Sequence, residues 1–516
     1  MMAESETRPA PLKKPHHPLT AKFNFLLQER DRAADRKPSM ATPTVVLLPV
    51  WGAGHLMPML EAGKRLLATG SGRALSLTVL VMRPPTEQQA SEVKGVIRRE
   101  EEAAAGALDV RFLRLPAVEP PTDHTGPVEF ISRLVQLHVP HVRAAVSMID
   151  VARELAVPAA HVYFTCNAAA LSFFLRLPEL VNEETEGAVD IPGLPPVPAS
   201  SLPTPVMDRT TADCKWYAYH GRRFMDADGI IINTAAELEP GALAAIADGR
   251  STRGVRPPPV YPVGPVISFP PPAAEQPPHD CIRWLDAQPP ASVVLLCFGS
   301  GGFFAAPQAH EVARGLERSG HRFLWVKVAN SRPRFSTMLW VLRGPPATPG
   351  SWQPTDGDLA ELLPDGFLER TKGRGLVWPA RAPQKEILAH AAVGGFVTHC
   401  GWNSTLESLW CGVPMAPWPL YAEQHLNAVA LVGMGVAVAM EVDRGRGNYV
   451  EAAELERAVR ELMDGGGEEG RKARERAREM MAACRKAVED GGSSSATLRS
   501  IRREVDECAA ALVRQS

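Results

Sequence analysis

"GGFVTHCGWNS", residues 394–404, is the stretch on which the reading of the fold turns. A short apolar run ending at Thr398 leads into His399-Cys400-Gly401-Trp402-Asn403-Ser404, and "TLESLW" continues with helical spacing. A brief apolar run bounded by glycine reads as a strand buried on both faces, the kind found in parallel sheets. In an open parallel sheet, ligands sit at the carboxyl ends of strands, and a helix N-terminus there attracts anions. Gly401 lets a ligand approach the backbone closely. Asn403, Ser404 and His399 offer donors to phosphate oxygens. The same residues fit a plainer alternative, with Asn403 and Ser404 only capping the helix and His399 a satisfied loop side chain. The local pattern supports both equally.

Working outward, the chain alternates strand and helix. "TVVLLPV" (44–50) reads as a strand buried on both faces, "LMPMLEAGKRLLATG" as a helix with Gly70 just past its end. "LSLTVLVM" and "DVRFLRL" are strands on either side of the charged helix "TEQQASEVKGVIRREEEAAA". This βαβαβ order predicts a parallel sheet with right-handed crossovers. The alternation then breaks. "PVEFISRLVQLHVPHVRAAV" (127–146) and "SMIDVARELAVP" (147–158) are both helical, with Ser147 capping the second, and no strand lies between them. "AAHVYFT" (159–165) resumes the strands, 190–205 is a Pro-rich loop, and "DGIIINTAAELEP" is a strand running into a helix. Alternation restarts after 278 with "SVVLLCFGS", "HRFLWV", "GLVWP", "GGFVT", "VPMAPWP" and "GVAVAM". "FLWV" (323–326) is nearly repeated as "MLWV" (338–341), so one copy ends a strand and the chain between them bulges outward.

The domains follow as a polar, disordered extension at 1–40, an α/β domain at 41–255 and a stiff Pro-rich linker at 256–278. A second α/β domain spans 279–485, with a final helix at 486–516. A net charge of -2 argues against a nucleic-acid partner, and no apolar run is long enough to span a membrane. The N-terminus lacks a secretory apolar core. The eight cysteines show no CxxC spacing, so reduced thiols in the cytoplasm and no metal are expected.

The run Arg381–Gln424, "RAPQKEILAHAAVGGFVTHCGWNSTLESLWCGVPMAPWPLYAEQ", resembles the donor-binding signature of plant family-1 UDP-dependent glycosyltransferases. "GAGHLMPM", "NAAALSFF" and "CIRWLDAQPPASVVLLCFGS" are similar to that family too, so the likeness runs from about Met40 onward. Within the family the chain is most similar to flavonoid and phenolic O-glucosyltransferases. The resemblance implies the GT-B arrangement: two Rossmann-like domains facing a cleft, acceptor on the first, UDP-sugar on the second, and the last helix packed back on the first. It implies diphosphate contacts from His399, Asn403 and Ser404, with Gly401 at the turn and a further contact from Ser300. Glu407 matches the ribose carboxylate, and Gln384 and the backbone of Ala382 match contacts near ribose and uracil. Trp402 matches a wall of the sugar pocket, and Glu423 and Gln424 match the pair that binds hexose hydroxyls, usually glucose. UDP-glucose is then a co-substrate, no cofactor is needed, and a monomer is expected.

Two positions depart from the pattern. Arg381 stands where the family usually has a tryptophan on uracil; Trp378 belongs to the preceding strand. His55 matches the general base, which the family orients with an aspartate at the end of a strand. That strand is missing here, where Val146 runs straight into Ser147. Asp150 matches a helix-start acid instead, and Asp123 has no assigned place. The expected reaction is transfer of glucose, with inversion, to a hydroxyl of a phenolic or flavonoid acceptor. The alternatives are a non-catalytic UDP-sugar-binding relative and a C-glycosyltransferase.

Overall fold

The computed structural model describes residues 43–516 except 71–73, 104–107, 150–158, 184–186, 269–278, 300, 329–342, 345–354, 357–361, 465–466 and 516. The runs rich in Val, Ile and Leu form strands, as their branched side chains favour. In the N-terminal half, β1 (Thr44–Leu47), β2 (Ser76–Val81) and β3 (Val110–Arg114) make a parallel sheet in that order. β4 (His161–Phe164) begins a second sheet, and β5 (Ala188–Val189) with β6 (Val197–Pro198) forms a small antiparallel ribbon. β7 (Gly229–Ile232) and β8 (Val260–Pro262) complete the second sheet, again parallel, in the order β4-β7-β8.

Three expectations are corrected in this half. β2 is buried throughout, but β1 is half-buried at every position rather than buried on both faces. The reason is its place: among the described residues β1 pairs only with β2 and is therefore an edge. The second correction concerns 127–146, which is two helices, Pro127–Leu137 and Val139–Ile149. Pro140 has no N–H to continue the first helix, so the boundary falls at His138. Ser147 lies inside the second helix and not at its start; Asp150 and the rest of 150–158 are outside the described residues. Third, the stretch read as linker contributes β8, an edge strand, where Pro262 is tolerated without an N–H.

In the C-terminal half, β9 (Val293–Cys297) is the middle strand, with β10 (Arg322–Val328) beside it. β11 (Arg343–Gly344) and β12 (Thr355–Asp356) pair with each other outside the main sheet. β13 (Gly375–Ala382), β14 (Val393–Thr398) and β15 (Met415–Pro417) complete a parallel sheet of order β13-β10-β9-β14-β15. The first "FLWV" copy lies in β10; the second falls outside the described residues. "GVAVAM" forms no strand, making only a bridge from Ala437 to Met415.

Both faces of this sheet are covered, which is why its strands are continuously apolar. Val294, Leu296, Trp325, Val397 and Trp418 pack on one face. Val293, Leu295, Leu324, Phe396 and Leu406 pack on the other, in a core that also takes in Phe164, Ile230 and Ile232 from the N-terminal half. The final helix, Ser493–Gln515, returns to that half: Leu498 and Ile501 pack with Ala62, Leu66, Val263 and Val266. Among the described residues no helix is long and apolar enough to cross a membrane.

Candidate active site

β9 has β10, the next strand in sequence, on one side and β14 on the other, so the order reverses between β9 and β14. A crevice opens outside the carboxyl ends at such a reversal. Thr398 pairs with Cys297, so the turns after both strands meet there. A Cβ on Gly299 would lie 2.5 Å from His399 Nε2, and one on Gly401 equally 2.5 Å. The imidazole is slotted between two glycines. Burial lowers its pKa to about 4, only partly offset by a backbone bond at Cys297, so His399 is neutral at physiological pH. Its buried Nδ1 has no partner among the described residues.

Cys400 takes φ 64, a left-handed conformation that costs a non-glycine residue on the order of 1 kcal/mol or more. That turn ends at Gly401, the N-cap of the helix Trp402–Cys411, which has no side-chain capping bond. Asn403 and Ser404 lie within the first turn, so the capping alternative falls. The uncapped first-turn N–H groups present the positive end of the helix to the crevice.

Beside this turn Gln384 Nε2 donates to Ser404 Oγ at 3.0 Å and to Glu407 Oε2 at 2.6 Å. Gln384 Oε1 is buried without a partner among the described residues. Burial raises the Glu407 pKa, while Lys385 and the Gln384 bond act the other way. Ala382, fully buried, ends β13. Arg381 lies in the same strand opposite Lys327, but its side chain, like the whole of Ser300, is outside what is described. Trp378 packs edge-on against His279, 5.2 Å between centroids.

A second left-handed residue, Ala422 at φ 52, precedes Glu423 and Gln424. Gln424 Oε1 accepts from the N–H groups of Leu420 and Tyr421 at 2.9 and 3.1 Å. Its NH₂ is therefore the end left to donate, beside a Glu423 carboxylate that accepts. Burial raises the Glu423 pKa, and its Oε1 takes a bond from Cys166 Sγ at 3.6 Å. Where the sequence predicts Trp402 as a wall of the sugar pocket, its ring is buried and its indole N–H donates to Asn233 O at 2.6 Å. The ring ties the two halves together.

His55 stands in the first turn of the helix Ala53–Ala68, after Gly52 at φ 105. Pro58 inside that helix has no N–H for the Gly54 carbonyl four residues back. Asn403 Nδ2 supplies the bond across the cleft, at 3.1 Å. The turn that carries His55 is thus fastened to the first turn of the other half's helix. The His55 ring is open to the cleft but walled by protein elsewhere, and desolvation lowers its pKa. Its side-chain partner is Thr165 Oγ1, 3.4 Å from Nδ1. Asp123 pairs instead with Arg133 at 2.7 Å, in a surface cluster with Glu129. Trp51, four residues before His55, meets Phe130 edge-on, 6.4 Å between centroids, so an aromatic pair lies beside the start of that turn.

The model of the family described as UDP-glucoronosyl and UDP-glucosyl transferase matches residues 362–468. The chain is 58% identical over 493 residues to malvidin galactosylase UGT88C3 of Oryza sativa subsp. japonica, covering 90% of this chain and 98% of that protein. It is 35% identical over 495 residues to the anthocyanidin 5,3-O-glucosyltransferase of a Rosa hybrid cultivar, covering 89% and 98%. Phytolacca americana UGT2, solved with UDP-2fluoro-glucose and pterostilbene, superposes with TM-score 0.71 at 34% identity, covering 90% and 100%. The chain belongs to the plant family-1 UDP-glycosyltransferases. It is an enzyme of GT-B fold, and the crevice at Gly299, His399 and Gly401 lies in the half that carries the family's signature.

Sequence reasoning missed the polar seam that joins the halves of this glycosyltransferase. Asn167 Oδ1 caps the helix Ala168–Leu180, while its Nδ2 donates to Asn427 Oδ1 at 2.8 Å. Asn427 Nδ2 continues to the Cys400 carbonyl at 2.9 Å. The second bond of Asn167 spans 260 residues, and no local pattern signals it. Asn427→Ala leaves two buried groups unpaired and should cost about 2 kcal/mol or more, read as a lowered unfolding midpoint in urea.

Proposed function

We propose that this glycosyltransferase transfers a hexose from its UDP-sugar, with inversion, to a hydroxyl of a phenolic acceptor of the flavonoid or anthocyanidin class. His55 is the general base. The Asn403–Gly54 bond carries this reading, because it sets the base-bearing turn against the helix N-terminus suited to a diphosphate. His399, Asn403, Ser404 and Ser300 hold the diphosphate, Gln384, Glu407, Ala382 and Arg381 the nucleoside, and Glu423 and Gln424 the hexose. As the acceptor proton passes to His55, the acceptor oxygen bonds to the anomeric carbon, whose bond to the diphosphate breaks, and UDP leaves with the electron pair. Glucose is the hexose favoured by the Gln424 resemblance; the rice relative's name makes galactose the competitor to include.

The test is incubation of the purified protein with UDP-glucose or UDP-galactose and a panel of anthocyanidins and flavonols, with products identified by mass spectrometry. Glycoside that disappears with His55→Ala supports the reading; UDP binding without product across the panel overturns it. That outcome would favour the non-catalytic alternative, whose own support is that no carboxylate among the described residues bonds to His55.

The lowered His55 pKa sets the pH dependence. The base must be neutral to act, and a lowered pKa keeps it neutral further into acid. The acidic limb of kcat/KM should therefore fall below pH 6.5, the ordinary histidine value. A limb above 6.5 would contradict it.

A further inference from the structure

We propose that Thr165 is the positioning residue of His55, accepting a hydrogen bond from Nδ1–H so that Nε2 carries the lone pair that takes the acceptor proton. The inference rests on His55 being the base and assigns its orientation, which the family leaves to an aspartate; among the described residues no carboxylate bonds to His55 and Thr165 stands beside it.

Three observations carry it. Thr165 Oγ1 lies 3.4 Å from Nδ1, a length that suits a bond tightening once substrate is bound. The residue follows β4 directly, at the carboxyl edge where the crevice-facing groups gather. The two elements are also fastened to each other next to this contact: Tyr163 Oη donates to the Pro58 carbonyl at 3.2 Å, one helical turn beyond His55. Strand and helix therefore hold the hydroxyl and the imidazole in register, and neither side chain alone sets the geometry.

The choice of partner has a chemical consequence. A carboxylate both orients an imidazole and stabilises the imidazolium that forms; a hydroxyl only orients it. Desolvation by the surrounding protein is what lowers its pKa, and no charged group among the described residues contributes. A base of this kind takes a proton readily from an acidic hydroxyl and poorly from an alkyl alcohol. Turnover should consequently depend on acceptor acidity, with phenols transferred and aliphatic alcohols of similar size left unreacted.

The experiment compares wild type, Thr165→Val, Thr165→Ser and His55→Ala. Nitrogen-15 NMR of the histidine rings reads the tautomer without requiring turnover. Wild type and Thr165→Ser should show His55 as the Nδ1–H form, and Thr165→Val should shift toward Nε2–H. In steady-state assays with substituted phenols, Thr165→Val should lower kcat about tenfold or more with acceptor KM unchanged, and Thr165→Ser should restore it. An unchanged tautomer in Thr165→Val, or wild-type kcat, overturns the proposal while the base reading stands. Activity retained by His55→Ala overturns the base reading and this one with it.

Discussion

His55→Ala should lower kcat about 10²–10⁴-fold while leaving the Kd for UDP within a factor of two. The two halves of that expectation come from different elements. The imidazole is the group proposed to receive the acceptor proton, and none of the proposed donor contacts uses it. The bond that fastens its turn to the donor side is made by the Gly54 carbonyl, which the substitution keeps. Folding should also be unaffected, because the ring is open to the cleft and, among the described residues, its one side-chain hydrogen bond is to Thr165. Calorimetric titration with UDP and a steady-state assay separate the outcomes. A loss of UDP affinity equal to the loss of rate would mean that His55 serves binding and not proton transfer.

Much of the donor half was legible in the sequence because its signals are local. "GGFVT" before "HCGWNS" announced a buried strand entering a helix, and β14 with the helix Trp402–Cys411 follows it within a residue or two. That Asn403 and Ser404 do not cap the helix was not legible: only the fold shows Gly401 in the capping position and Cys400 left-handed. The resemblance brought Gln384, Ser404 and Glu407 together on paper, and the bonds of 3.0 and 2.6 Å do so in space. The failures share a physical cause. β1 read as a fully buried strand because periodicity reports what a strand prefers, while burial depends on how many neighbours it has. "GVAVAM" has strand composition but makes only one bridge. The Pro58–Gly54–Asn403 arrangement combines a proline rule readable from sequence with a partner 349 residues away. Long-range polar contacts of this kind leave no periodic trace.

Gly401→Ala should reduce kcat/KM for the UDP-sugar about 10²-fold with the fold intact, although the backbone at this position suits alanine. Gly401 has φ -61 and ψ 133, so no conformational penalty arises. The obstacle is space. An added Cβ would sit 2.5 Å from His399 Nε2, and the ring is packed so closely against Gly299 that a Cβ there would also fall 2.5 Å from Nε2, which leaves the imidazole little room to yield. Displacing the imidazole by about 1 Å is enough to misplace a ligand by an amount that costs 10²-fold. The methyl would also stand at the N-terminus of the helix, where a diphosphate approaches the first-turn N–H groups. His399 is neutral at physiological pH, its pKa lowered to about 4, so the loss would be geometric and insensitive to pH between 6 and 8. A binding defect that recovers in acid would instead show that the histidine acts as a cation. Titrating UDP into wild type and Gly401→Ala at both ends of that range decides between them, with the thermal midpoint as the check on folding.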